Sequence, residues 1–153
     1  MKFDWLHPLV VIILVSLLLD GVYLWSRSVD HSRIFSVLNC GSSLRIRILP
    51  AIGVYLVIAL ALWWFVFGGS SSPRSSGGLT ILGPRSIEGG PATAFVQGSL
   101  LGFSMYGLYD LTNYTTLKEY PLSMMFTDIA WGTIMMGTTA GTTAWLLGSS
   151  SSV

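Results

Sequence analysis

Four stretches of this chain are too long and too apolar for a domain of 153 residues to bury. The first runs from Pro8 to Trp25, with Leu6 extending it, and its only charged residue is Asp20. The second, Ile48 to Phe67, and the third, Ala92 to Tyr109, carry no charge, and the fourth, Leu122 to Leu147, carries only Asp128. A helix rises about 1.5 Å per residue, so about 20 residues cross the ~30 Å hydrocarbon layer of a bilayer. Each run meets that length. Pro8 and Pro50 fall in first turns, and Pro91 and Pro121 stand just before the third and fourth runs. A missing N–H costs nothing at those positions. The expected fold is all-α: an integral membrane bundle of four transmembrane helices, about 6–25, 48–67, 92–109 and 122–147. They form a single membrane domain over 1–153, and an even number of crossings puts both ends on one side.

Charge supports this. Only 10% of residues are charged and 52% are apolar, whereas soluble domains are about a quarter charged. Lipid must cover what so few charges cannot solvate. A net charge of +1 implies no nucleic acid partner. Cys40 is the only cysteine, which excludes a disulfide framework and a multi-cysteine metal site. His7 and His31 lie in different segments without ligand spacing and are expected as lone surface histidines. No metal or cofactor is expected. A cleaved leader is the rival account of the first run. It is weakened by a basic region of Lys2 alone and the lack of a small-x-small cleavage site.

The connections differ in kind. Ser26 to Arg47 is polar and basic, with Ile34, Phe35, Val37 and Leu38 suited to the membrane surface. Gly68 to Gly78, "GGSSSPRSSGG", has the composition of a flexible linker, and 148–153 that of a mobile tail. Leu111 to Tyr120 reads as a short turn. Arg27, Arg33, Arg45, Arg47 and Lys118 fall in the first and third connections, against Lys2, Arg74 and Arg85 on the other side. That excess places the first and third connections in the cytoplasm.

Within lipid, helices associate by close packing and polar contacts. The third run carries Gly98-x-x-x-Gly102 and the fourth Gly137-x-x-x-Gly141. Both spacings place small residues on one helix face, so these runs are expected to form a tight antiparallel hairpin or to drive self-association. Asp20, Asp110 and Asp128 all fall toward one membrane face. Asp20 and Asp128 lie roughly 7–9 Å deep at 1.5 Å per residue. Charges there are costly, so partners are expected: Arg45 and Arg47 at the start of the second helix, with Asn113 adding hydrogen-bonding capacity. This polar cluster has two readings. Clustered, buried carboxylates raise one another's pKa and can bind a proton or cation. Alternatively, the aspartates cap helices and pair with Arg45 or Arg47.

The strings "LLLDGVYLW", "YGLYDLTNYTTLKEYPL" and "DIAWGT" resemble the family of small four-span membrane proteins called domain of unknown function 2177. The resemblance covers all four runs and is most specific from Tyr109 to Pro121 and at Asp128–Trp131. It implies membership of a group found in bacteria and in some large viruses of algae, with Gly68–Gly78 as an insertion. It points to Asp20, Asp110, Asn113, Asp128 and Trp131 but implies no activity.

Function is expected to be non-enzymatic: a structural or assembly component of a membrane complex or of a membrane-containing virus particle. Its partners would be the lipid bilayer, other membrane or capsid proteins, or itself. The alternative is a small oligomeric transporter or proton-coupled carrier using the aspartates. Tyr109-Asp110 with Asp128 is only a faint echo of intramembrane aspartyl proteases, without the accompanying glycine and proline-alanine-leucine motifs. Nucleophile-elbow, zinc-protease and phosphate-loop motifs are likewise missing from the sequence.

Overall fold

A computed structural model of the chain describes residues 6–38, 47–68 and 86–150. These residues form five helices: α1 (Leu6–Ser26), α2 (Ser28–Leu38), α3 (Ile48–Phe65), α4 (Ser86–Thr116) and α5 (Leu122–Ser150). No strand occurs among the described residues. Arg45, Arg74 and Arg85, all but the first residue of the Gly68–Gly78 linker, and the final residues 151–153 lie outside them.

Among the described residues, two helices, over Pro8–Ser26 and Ile48–Phe65, are long and apolar enough to cross a membrane. Only 11% and 17% of these spans is buried within the chain. They are therefore not core helices of a water-soluble fold, whose apolar faces would be covered by protein. α4 and α5 are longer but diluted by Gly, Ser and Thr.

The sequence expectation and the structure part at the start of α4, which is Ser86 rather than about 92, and in several further places. The first is α2, a helix where a surface-lying connection was expected. Its N–H groups join it directly to α1: His31 N donates to the Arg27 carbonyl at 3.0 Å, and Arg27 N to the Tyr23 carbonyl at 2.9 Å. Ile34, Phe35 and Leu38 share one face and pack on Tyr120, Met124 and Met125, which is why the segment is ordered as a helix. The second is the α4–α5 turn, which is half the expected length because α4 continues past Tyr109 to Thr116. Threonines are weak helix formers, but Thr112, Thr115 and Thr116 each donate a hydroxyl to the carbonyl four residues back, at 2.6–2.8 Å. The third is the C-terminal end of α5, which is helical through Ser150 rather than ending at Leu147.

At its other end α4 breaks at Gly90, with φ 73° and ψ −174°. Only glycine takes that conformation without strain. Pro91 follows and opens the long arm of the helix, as its position in the sequence implied.

The helices pack in the order α4, α5, α1, α3, with α2 on the α1 end. The main core joins Ile12 of α1, Ile58, Ala59 and Leu62 of α3, Ala94 of α4, and Met135, Met136 and Ala140 of α5. α4 and α5 form the closest pair. A Cβ built on Gly98 would lie 2.5 Å from the Met136 carbonyl oxygen and 2.7 Å from Ala140 Cβ. One on Gly102 would run into the Gly132 backbone, and one on Gly137 into Ser99 Oγ. Gly141 sits more loosely, with Phe95 Cβ and the Pro91 carbonyl oxygen each at 3.3 Å. All four glycines singled out in the sequence therefore face the α4–α5 interface. A fifth, Gly132, was not singled out, and the Tyr106 ring occupies the space its side chain would need.

Candidate functional site

α1 carries Asp20 and Tyr23 one turn apart, and α5 carries Asp128 and Trp131 at the same spacing. Residues three apart share a helix face, so each helix presents a carboxylate and an aromatic hydrogen-bond donor side by side. The two pairs meet reciprocally. The Tyr23 hydroxyl donates to Asp128 Oδ1 at 2.8 Å, and Trp131 Nε1 donates to Asp20 Oδ1 at 3.0 Å. Between these bonds the two rings stack, with centroids 4.5 Å apart and planes 6° from parallel. α3 completes the cluster: the Tyr55 hydroxyl donates to Asp20 Oδ2 at 2.7 Å. Asp20 thus has both oxygens filled, by donors from two other helices.

Asp128 has a second neighbour. His31 Nε2 of α2 lies 3.9 Å from Asp128 Oδ1, and the two side chains are only 13% and 15% exposed. That separation is too long for a hydrogen bond, and the buried Nε2 has no other partner. The imidazole sits edge-on to Tyr23, 5.8 Å between centroids, and to Phe35, 6.3 Å. His31 is therefore not the lone surface residue expected from the sequence. The helix α2, which the sequence pattern did not show, folds it inward.

Asp110 is set apart. It is completely buried and accepts a hydrogen bond from Tyr120, in the short turn that follows α4. Its other oxygen has no partner. Burial first, and the Asp110 carboxylate second, push the Tyr120 hydroxyl above its ordinary range and keep it protonated as the donor. This bond ties the end of α4 to the start of α5 and does not reach Asp20 or Asp128.

The expected basic roof takes another form. Arg47 is exposed at the N-cap of α3 and forms no ion pair among the described residues. Arg45 lies outside them. The ion pair that does form near this end is Arg27–Asp30, at 3.3 Å on the surface. Asn113 is half-buried and its side chain does not join the cluster. Phenols and an indole hold the aspartates where guanidinium groups were expected. Neutral donors satisfy carboxylate oxygens without bringing a second charge into a low-dielectric interior, and desolvating that second charge is costly.

Sequence reasoning missed Tyr23, Tyr55, Tyr120 and His31. The signal for Tyr23 was present: Asp20-Gly-Val-Tyr23 and Asp128-Ile-Ala-Trp131 repeat one spacing of acceptor and aromatic donor. Nothing comparable marks Tyr55, which stands alone in an uncharged run.

The chain matches the model of a family described as "Predicted membrane protein (DUF2177)" over residues 5–145. It belongs to that family. The DUF2177 match includes the three aspartates and all their aromatic partners, and it agrees with the resemblance carried by the sequence strings. No curated protein and no solved structure matches the chain. Membership and the two uncovered apolar helices together make this a membrane-associated protein. No group of three or more His, Cys, Asp or Glu side chains that could hold a metal ion occurs among the described residues.

Proposed function

We propose that α1, α3, α4 and α5 all cross the bilayer, with both ends of the chain on one side. We further propose that the protein is a non-enzymatic structural or assembly component of a membrane complex, cellular or viral. The observation that carries this is the reciprocal clasp. Asp20 spends both oxygens on Trp131 and Tyr55, and Tyr23 is spent on Asp128. Groups engaged in this way hold helices together. Each oxygen of Asp20 is already held by a donor from another helix of the bundle. The small-residue face between α4 and α5 serves the same end, a rigid unit that presents its outer faces to neighbours.

Two experiments test the reading. In a Cys40→Ser background, single cysteines at Ser32 and Lys118 should react with an impermeant reagent from the same side of the membrane. Reaction from opposite sides would mean that α4 and α5 do not cross. Cross-linking in the native membrane, followed by mild solubilisation, should recover the chain in a complex of defined stoichiometry. A partnerless chain that drives solute or proton flux in proteoliposomes would overturn the assembly role. One observation favours that second reading, a proton-coupled carrier. His31 Nε2 stands unpartnered 3.9 Å from Asp128 Oδ1, which sets an imidazole beside a carboxylate inside the bundle.

A further inference from the structure

α3 packs against α1, and α4 against α5, which leaves a cleft where α3 and α4 face each other. Its volume is about 600 Å³, inside the roughly 300–1,000 Å³ of small-ligand sites. Pro50, Gly53 and Val57 line it from α3, and Met105, Tyr106 and Tyr109 from α4. The α3 wall is hollow at Gly53. A Cβ built on Gly53 would meet nothing within 4 Å. Glycine in a helix interior costs about 1 kcal/mol relative to alanine, so the open space at Gly53 has no packing explanation among the described residues.

A cation stands about one turn beyond the Pro50 end of the cleft. Pro50 lies three residues from Arg47, the exposed N-cap residue of α3. Arg47 forms no ion pair among the described residues, whereas Arg27 is paired with Asp30. The N-terminus of α3 adds its own partial positive charge at the same place. On α4, Asn113 stands one turn beyond Tyr109 and its side chain makes no hydrogen bond among the described residues. The site therefore combines an uncharged hollow, about 12 Å long from Pro50 to Ile58 at 1.5 Å per residue, with a cation at one end. It is shorter than a groove for a second helix, which would need contact along most of α3.

We infer that this cleft binds one anionic glycerophospholipid, with an acyl chain laid between α3 and α4 and the phosphate at Arg47. The inference rests on the reading in which α3 and α4 both cross the bilayer. A lipid held there completes the side of the bundle that the chain leaves open. A basic residue at the membrane surface gives anionic lipids a preference of about fivefold, the equivalent of ~1 kcal/mol.

The test uses the full chain in phosphatidylcholine nanodiscs with trace lipids bearing a diazirine on the acyl chain, headgroup either phosphatidylglycerol or phosphatidylcholine. Cross-linked peptides are mapped by mass spectrometry. Phosphatidylglycerol should label the α3 and α4 cleft walls about fivefold more than phosphatidylcholine. Arg47→Gln should bring the two headgroups to equal labelling. Gly53→Phe fills the hollow and should cut cleft labelling at least tenfold. Gly21→Phe is the control, since Gly21 is exposed on α1 and a Cβ there also meets nothing; it should leave cleft labelling intact. Thermal unfolding of both phenylalanine variants should match the parent. Labelling of the outer face of α1 at Leu14 and Leu18 equal to that of the cleft would overturn the inference. So would cleft labelling that survives Gly53→Phe, or cleft cross-links to a second copy of the chain. Failure of the four-span reading would look different: acyl probes would then label α1 and α3 but no part of α4.

Discussion

The α4–α5 contact and the contact of α1 with α3 and α5 solve the same problem by opposite means. Between α4 and α5 the backbones approach so closely that Gly98, Gly102, Gly132 and Gly137 have no room for a Cβ. Around α1 no such close backbone approach occurs among the described residues, and the Ile12 packing is joined by three hydrogen bonds to Asp20 and Asp128 and one aromatic stack. In lipid, apolar side chains gain little by leaving the solvent, so dispersion at close range and hydrogen bonds are the two means available. The first is unforgiving of added volume and indifferent to polarity. The second tolerates volume and depends on single donor and acceptor atoms.

The strongest way to break that contrast is to add volume to the tight pair. Gly102→Leu places a side chain against the Gly132 backbone, which cannot rotate away as a side chain can. Overpacking of this kind costs about 1–3 kcal/mol or more. Thermal unfolding in detergent should show a larger loss for Gly102→Leu than for Asp20→Ala or Gly141→Ala. A melting curve equal to the parent would mean that α4 and α5 can move apart at no cost.

The clasp should fail through polarity instead. Asp20→Ala removes the acceptor of both Trp131 and Tyr55 and leaves two donors unpaired, a loss of about 1–3 kcal/mol. Asp20→Asn keeps one oxygen and should lose less. If Asp20→Ala unfolds at the parent temperature, the α1 contact is held by apolar packing alone.

A finer measurement separates the two arms of the clasp. A double-mutant cycle of Tyr23→Phe with Asp128→Asn should give a coupling of about 0.6–1.7 kcal/mol, the range of interhelical hydrogen bonds in membranes. The matching cycle of Tyr120→Phe with Asp128→Asn should give about zero, because Tyr120 serves Asp110. Coupling in the second cycle would join the three aspartates into one network.

The smallest effect belongs to Gly141→Ala. Its Cβ would meet Phe95 and the Pro91 carbonyl at 3.3 Å, contacts that need only a few tenths of an ångström of relief. Alanine also favours the helix by about 1 kcal/mol over glycine. Stability should therefore change by about 1 kcal/mol or less, in contrast to Gly102→Leu. A loss as large as that of Gly102→Leu would show that the interface is equally tight along its whole length.

Periodicity, proline placement and the shortage of charge were enough to locate four long helices to within a few residues at most ends, because those properties are local. The same is true of the glycines: a spacing of four puts them on one face of any helix, and that face is the one α4 and α5 share. The exceptions depend on more than the local pattern. α2 and the last turns of α4 hold polar residues whose helicity depends on a partner surface or on hydroxyls bonding back to their own helix. Asp110 takes its donor from Tyr120, ten residues on, but which groups hold Asp20 and Asp128 could not be read along the chain. Arginines near in topology were the natural choice, yet the partners come from 105 and 111 residues away, and from Tyr55, 35 residues away. Only the order in which helices pack decides that α1 faces α5 and α3 rather than α4. Once they do, neutral aromatic donors are already within reach. They satisfy the carboxylates without the desolvation cost of a second charge.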